Sequence, residues 1–327
     1  MKQDAFHEPV MVAEVLSYLA AIPDGVILDA TLGGGGHAEA ILTAHPKISL
    51  VGMDRDLEAV QTASTRLARF GDRVVIRHAR FDTAALVIAD EFARRRDLLG
   101  RGVVGVLFDL GVSSHQLNAA SRGFSYRLEG PLDMRMDQSR GLRAAEIVND
   151  AAVATLEEIF RDSGEQRFAK RIARAVVEHR PISTTMELAN IVSSAIPAAA
   201  RRKGHPARRV FQALRITVND ELDLLGPALD GVMDLLSPGG RLIVLAYHSG
   251  EDRLVKERLH RAATGGCRCP AGLPCVCGAR PTFRVLTRGA RLARPEEIAS
   301  NPRAEAARLR VGEKLNSAIE HDQARLS

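Results

Sequence analysis

Four short, almost uninterrupted apolar runs alternate with helical stretches through the first third of the chain, and no other feature restricts its fold as strongly. The runs are "VILDAT" (26–31), "ISLVGMD" (48–54), "RVVIRHA" (73–79) and "GVVGVLFDLG" (102–111). Strands that are apolar on both faces belong to parallel sheets covered by helices. The intervening text is helical: "AEAILTA" (38–44), "DLEAVQTASTRLARF" (56–70), with Leu57, Val60, Ser64 and Leu67 in helical phase, and a stretch around 83–99. The expectation is an α/β fold with helices on both faces of a parallel sheet.

That rhythm stops at Ser113. From there to about Arg143 no period is visible, and Gly123, Gly130, Pro131 and Gly141 punctuate the text. Long aperiodic loops inside compact domains are often functional. Residues 144–202 are helical; Phe168, Ile172, Ala175 and Val176 form one stripe, and Arg167, Arg171 and Arg174 another. "RRVFQALRITVNDELDLL" (208–225) reads as a further helix, with Phe211, Leu214, Val218 and Leu222 in phase. Strand text returns at "GGRLIVLAYHS" (239–249), and "TFRVLT" (282–287) and "RLRVGEK" (308–314) read as antiparallel edge strands. The organisation expected is one α/β domain in two parts, 1–114 and 216–327, around a loop and helical insertion over 115–215.

Composition narrows the function classes. Apolar residues make up 46%, enough for a full core. Lys plus Arg number 45 against 40 Asp plus Glu, a net charge of +5, and the pI is near 9.3. This mild excess is compatible with a polyanionic partner. Trp is absent and aromatics are 4%, which argues against extended base-stacking platforms. The start, "MKQDAFHEPV", has no secretory apolar region, and no apolar run approaches the roughly 18 residues that would span a bilayer. With all four cysteines in one short segment, a cytoplasmic protein is expected.

The glycine run Gly33–Gly36 lies between the first strand and the first helix, and Asp54 closes the next strand 21 residues after Gly33. Glycines let backbone approach a ligand and expose N–H groups at a helix start, and an acid so placed accepts ribose hydroxyls. An adenosine-bearing cofactor is indicated. A P-loop is excluded, since no Gly-Lys-Ser/Thr follows. NAD stays open at this point. Asp29, just before the loop, would repel a pyrophosphate and suits the α-amino group and sulfonium of S-adenosylmethionine.

Six ordered motifs then carry a resemblance: "HEPVM" (7–11), "LDATLGGGGH" (28–37), "DLGVSSHQL" (109–117), "RGFSYRLEGPLDMRMD" (122–137), "RRVFQALRITVNDEL" (208–222) and "YHSGEDRLVK" (247–256), with a likeness continuing to about Lys314. Together the chain resembles the family of ribosomal small-subunit RNA cytosine-N4 methyltransferases. That likeness implies a class I, Rossmann-like methyltransferase sheet with an inserted all-helical subdomain for substrate recognition. It implies S-adenosylmethionine as cofactor and methylation of the exocyclic N4 of a cytidine in 16S rRNA, near the decoding centre. At matching positions it implies cofactor contacts from Gly35, Gly36, His37, Asp54, Phe81, Asp109 and Gln116. One departure is Gly250, where the family commonly has Leu; a loosened turn is expected there.

The chemistry then selects candidate catalytic groups. The N4 amine is a weak nucleophile because its lone pair is delocalised into the ring. Positioning and a hydrogen-bond acceptor on the amine are the available levers. Asp109, at the tip of the fourth strand, is the candidate acceptor, or contacts the cofactor alone. Asp133, in the alternation Asp133, Arg135, Asp137, is a candidate clamp, or part of a salt-bridge cluster. His248, just after the fifth strand, is a candidate substrate-side residue, or structural. The target base has to be extruded or single-stranded. Arg201, Arg202, Lys203, Arg208 and Arg209, with Arg167, Lys170, Arg171 and Arg174, are candidate phosphate contacts, or a solvated surface.

"CRCPAGLPCVC" holds Cys267, Cys269, Cys275 and Cys277. Structural zinc or a reduced, redox-labile loop are the two readings; pairs spaced by one residue, not two, depart from the common knuckle. No metal is assigned to the catalytic site. The partners expected are 16S rRNA or the small ribosomal subunit, with no membrane; the oligomeric state stays open, a homodimer through the insertion included. The competing readings are an NAD-dependent oxidoreductase, for which no hydride-relay constellation is evident, and a non-catalytic RNA-binding module on the same fold.

Overall fold

The computed structural model describes residues 9–95, 101–162, 164–198, 205–270 and 276–316. The chain divides into two compact units, Met1–Gly111 with Leu222–Ser327, and Val112–Glu221. The limits 115 and 215 read from the sequence fall a few residues inside the second unit.

The first unit opens with α1 (Val12–Leu19), β1 (Val26–Asp29), α2 (Gly36–Ala44), β2 (Ser49–Asp54), α3 (Leu57–Leu67), β3 (Val74–His78), α4 (Ala84–Arg94) and β4 (Val103–Asp109). The second unit holds α5 (Ser114–Asn118), α6 (Ala144–Asp150), α7 (Val153–Asp162), α8 (Ala169–Glu178), α9 (Thr185–Ala195) and α10 (Arg208–Val218). The chain then runs through α11 (Glu221–Leu235), β5 (Leu236–Ala246), α12 (Ser249–Thr264), β6 (Phe283–Val285), α13 (Pro295–Ser300) and β7 (Arg308–Lys314).

The sheet has seven strands in the order β3-β2-β1-β4-β5-β7-β6. The first five are parallel; β7 is antiparallel to β5, and β6 antiparallel to β7. This is the expected α/β class. Of the two antiparallel strands only β6 lies at an edge, because β7 inserts between it and β5; the opposite edge is β3. Side chains alternate across the sheet with period two. Val26, Leu28, Val106, Phe108 and Val244 enter one core, while Ile27, Val104, Leu107 and Ile243 enter the other. Burial on both faces is why these strands read as continuous apolar runs. From β1 the sheet extends to β2 and β3 on one side and β4 on the other, so a crevice opens at the carboxyl ends of β1, β2 and β4, the usual ligand position in such sheets.

Two helical readings change. In α3 the residues buried are Ala63 and Leu67, while Leu57, placed in the stripe from sequence, is 52% exposed. The stretch 208–225 is not one helix: it breaks at Asn219 and Asp220, where Asp220 adopts φ 50°, in the left-handed region. Asn219 is buried and stitches the break to the preceding loop. Its Oδ1 accepts the Met136 N–H (2.8 Å), and its Nδ2 donates to the carbonyls of Met134 (2.8 Å) and Arg215 (2.9 Å).

The second unit has its own core, including Phe124, Leu132, Phe160, Ile172, Val192 and Leu214. The aperiodic stretch 113–143 is therefore not structureless. Arg122 donates to the carbonyls of Arg135 (3.1 Å) and Met136 (2.9 Å), and Leu132, Met134 and Met136 are buried. Side-chain-to-backbone bonds replace the ladder that a regular element would supply.

Candidate active site

Three carboxylates end three neighbouring strands: Asp29 on β1, Asp54 on β2 and Asp109 on β4. Asp29 lies opposite Gly52 and Leu107 in the ladders. Thr31 joins two of them: its hydroxyl accepts the Asp109 N–H (2.6 Å), and its own N–H donates to Asp29 Oδ1 (3.3 Å). Asp29 is buried, 1% exposed. Burial pushes its carboxyl up to about 8; the Thr31 N–H opposes this, and the charges of Asp109 and Asp54 add to it. At neutral pH the unliganded site thus holds a protonated acid that a cation would ionise.

Asp54 grips the glycine loop. Its Oδ2 accepts the Gly33 N–H (2.8 Å) and its Oδ1 the Asp56 N–H (2.8 Å). Burial raises its carboxyl from the usual range, and these two N–H groups lower it. Each oxygen keeps a second lone pair able to accept a ribose hydroxyl. The glycines differ in what they are for. A Cβ on Gly36 would sit 3.0 Å from Pro9 Cγ, and one on Gly35, at φ 79°, 3.3 Å from Ala63 Cβ. The Gly35 N–H is taken by the Leu32 carbonyl (2.9 Å). Packing thus accounts for both glycines, whereas Gly33, at φ 52°, faces open space.

Asp109 is the best-furnished group. Tyr247, just beyond β5, donates from its Oη to Asp109 Oδ1 (2.6 Å). His37 Nδ1 faces Asp109 Oδ2 at 3.5 Å, and His37 Nε2 lies 2.9 Å from the Val10 carbonyl. A carbonyl only accepts, so Nε2 carries hydrogen, and Nδ1 is the ring atom turned toward Asp109. Burial, then the Asp109 charge, holds the Tyr247 phenol well above its usual range, so it stays a donor. Tyr247 also packs under Gly111, whose Cβ would lie 3.4 Å from its ring. No sequence signal marked this pairing. Phe81, in a short 3-10 turn after β3, packs edge-to-face on Phe108 with centroids 5.9 Å apart.

His248 departs from the role read for it. It is the N-cap of α12: its Nδ1 accepts the N–H groups of Gly250 (3.2 Å) and Glu251 (3.4 Å). Its Nε2 lies 3.2 Å from Glu251 Oε1, and Glu251 Oε2 accepts the N–H groups of Tyr247 (2.8 Å) and His248 (3.2 Å). With Nδ1 engaged in the helix cap and Nε2 turned to Glu251, the imidazole has a structural occupation. Gly250 does not loosen this turn. A Cβ there would stand 3.1 Å from the imidazole, so glycine lets the ring seat on the helix start.

Gln116 and Asp133 belong to the second unit. Gln116 closes a capping box on α5: its Oε1 accepts the Ser113 N–H (3.0 Å), and its N–H donates to Ser113 Oγ (3.2 Å). Asp133 is held bidentately by Arg135, through Nε (2.8 Å) and Nη2 (2.9 Å). Burial raises its carboxyl, but the Arg135 bonds outweigh burial and leave it below the usual range. That is the salt-bridge alternative, and a poor proton acceptor. Asp137 is likewise pulled to about 2, burial being outweighed by bonds from Ser139 and Arg140.

The basic residues separate. Arg201, Arg202 and Lys203 lie outside the described residues, and Arg209 pairs with Glu165 (3.2 Å). Along α8 and α9 an open groove of about 820 Å³ is lined by Arg167, Lys170, Arg171 and Arg174, over a floor that includes Ala175 and Ile191. All four cations are exposed, and none is ion-paired among the described residues. No helix among the described residues is long and apolar enough to cross a membrane.

Comparison with known proteins places this geometry. The model of the MraW methylase family matches residues 4–315. A ribosomal RNA small subunit methyltransferase H of Heliobacterium modesticaldum is 46% identical over 318 residues, covering 94% of this chain and 98% of the relative. The protein of the same name from Salinispora tropica is 50% identical over 324 residues, covering 95% and 84%, and that from Geobacter sp. strain M21 is 48% identical over 320 residues, covering 96% and 100%. A family model spanning nearly the whole chain, with relatives near half identity along their full length, settles the assignment: the chain belongs to the MraW methylase family.

Proposed function

We propose that this chain is an S-adenosylmethionine-dependent methyltransferase that modifies the exocyclic N4 of a cytidine in 16S rRNA, acting in the cytoplasm on the small ribosomal subunit or its RNA. The observation that carries the reading is the set of three carboxylates at the switch point of the sheet, in a chain of this family. A buried Asp29 that regains its charge when a cation arrives suits a cationic ligand. The residues fit the cofactor in kind: Asp29 for its α-ammonium, Asp54 for the ribose, Phe81 beside the adenine, and the open side of Gly33 for close backbone approach.

S-adenosylmethionine, when bound, supplies a methyl group on a sulfonium sulfur. The chain's own residues then have two tasks. Asp109 Oδ2 accepts an N–H of the cytosine amine, favours a pyramidal nitrogen with its lone pair directed at the methyl, and stabilises the positive charge that develops there. Tyr247 fixes Asp109 by occupying Oδ1, which leaves Oδ2 for substrate. His37 Nδ1 lies 3.5 Å from Asp109 Oδ2, so the imidazole borders the oxygen left for substrate. Asp133, Gln116 and His248 are assigned positions in the scaffold: a bidentate ion pair, a helix start and a helix cap.

The helical unit is assigned to RNA. Phosphates are met by the unpaired cations along α8, which run at helical spacing and so follow a strand of backbone charge. Neither the NAD reading nor the non-catalytic one has a supporting observation: no hydride-relay set lies at the crevice among the described residues, and Asp109 and Tyr247 are in place for chemistry. Transfer of tritium from labelled S-adenosylmethionine to small-subunit RNA tests the proposal.

A further inference from the structure

The cysteine segment takes no part in that chemistry, yet its geometry is specific. Cys267, Cys269 and Cys277 bring their sulfur atoms within 4.8 Å of one another. The Cys267 and Cys277 sulfurs are 3.6 Å apart. A disulfide would need about 2.05 Å. Thiolates on a tetrahedral ion with metal–sulfur distances of about 2.3 Å stand about 3.8 Å apart.

The backbone is built to hold them so. The loop leaves α12 at Gly265 and Gly266, with φ 61° and 70°, and turns again at Gly278, with φ 70°. Its neck is closed where the Thr282 N–H donates to the Ala262 carbonyl (2.8 Å). Gly265 lies so close to Arg280 that a Cβ would stand 2.4 Å from the Arg280 nitrogen. The Cys267 N–H donates to the Thr264 carbonyl (3.1 Å), which anchors the first thiol to the helix end. Two arms of chain, tied at the base, thus face their thiols inward although both are solvent-accessible. Spacing by a single residue does not prevent Cys267 and Cys269 from converging with Cys277.

We propose that Cys267, Cys269 and Cys277 bind a structural Zn²⁺ that clamps the connection between α12 and β6. Three converging soft thiolate donors select zinc over magnesium or calcium. The sequence holds a further thiol, Cys275, which lies outside the described residues. The site is independent of the methyl-transfer reading, and its test does not use activity.

The full chain, expressed in zinc-supplemented medium and purified without chelator, is expected to carry about one zinc per molecule by elemental mass spectrometry, released on titration with a mercurial. Cys267→Ser and Cys277→Ser are each expected to lower zinc content about tenfold or more. Both are expected to keep S-adenosylmethionine binding by calorimetry, which shows that they fold. Cobalt in place of zinc should give intense thiolate-to-cobalt absorption in the wild type and lose it in the variants. Less than about one zinc in ten wild-type chains would overturn the site, as would full zinc content in the Cys267→Ser/Cys277→Ser double variant. Iron in place of zinc, or a Cys267–Cys277 disulfide in protein taken from reducing conditions, would overturn it equally.

Discussion

Tyr247 Oη and Asp109 Oδ1 are joined by a 2.6 Å hydrogen bond across 138 residues of sequence. It ties the end of β5 to the end of β4 and occupies one of the two Asp109 oxygens. Replacing Tyr247 by Phe removes the bond with little change of volume. The expected result is a fall in the single-turnover methylation rate of roughly 10–100-fold, with the calorimetric affinity for S-adenosylmethionine within about threefold of wild type. An unchanged rate would leave Tyr247 as packing for Gly111.

Asp109→Asn keeps shape and removes charge. A carboxylate that stabilises a developing cation should cost roughly 100–1,000-fold in rate when neutralised. Methylation at the wild-type rate would remove Asp109 from both the cofactor and the substrate roles.

The Asp29 carboxyl titrates near 8 when buried without a ligand, against 3.8 in its ordinary state. Binding a cation requires that proton to leave. Cofactor affinity should therefore rise about tenfold per pH unit from pH 6 toward 8 and then level, with uptake of the cofactor releasing a proton in calorimetry at pH 7. The unliganded fold has the opposite slope. Its folded state keeps a proton that the unfolded chain has already lost, so this group's contribution falls as pH rises from 3.8 to about 8. Asp29→Asn should flatten both profiles, weaken cofactor binding and stabilise the empty protein by roughly 1–4 kcal/mol above neutrality, read from thermal melts at several pH values.

His248 separates capping from catalysis. His248→Ala should lower stability by roughly 1–2 kcal/mol, while His248→Asn, which can cap, should recover most of it together with activity. An Asn variant that is stable and inactive would return His248 to the chemistry.

The groove along α8 carries four exposed cations against one acid, Glu178, and none of the four is ion-paired among the described residues. Arg171→Glu with Arg174→Glu should weaken RNA binding by roughly tenfold or more at low salt and flatten the salt dependence by about two phosphate contacts, with cofactor affinity unchanged. Equal RNA affinity across a salt titration would mark the face as solvated surface.

Much of this was legible in the residues. β1, β2 and β4 are legible because burial on both sides leaves almost no polar positions before the strand ends, and Asp54 and Asp109 are placed by falling at those ends. The order of β6 and β7 was not, because antiparallel pairing over long sequence distances leaves no local trace. The same holds for Tyr247, whose partner is remote. For other residues the local spacing points to a scaffold role beside the one read for them. Ser113-x-x-Gln116 and His248-x-x-Glu251 both have capping-box spacing, which explains why Gln116 and His248 are occupied by helix starts. Asp133 sits two residues from the arginine that takes both its oxygens. The break at Asp220 was hidden because the apolar phase of α10 runs on into α11, and only the buried Asn219 side chain shows why the chain turns there.

The central claim is that this crevice delivers a methyl group to the N4 of a cytidine in small-subunit RNA. It is tested most directly by incubating the purified chain with isotopically labelled S-adenosylmethionine and 16S rRNA, free or in small subunits, and digesting the RNA to nucleosides for mass spectrometry. The account predicts label in a single cytidine as N4-methylcytidine, and none with Asp109→Asn at matched times. Label on another base or another cytidine atom, or no transfer to either form of the RNA by a chain that binds the cofactor, would contradict it.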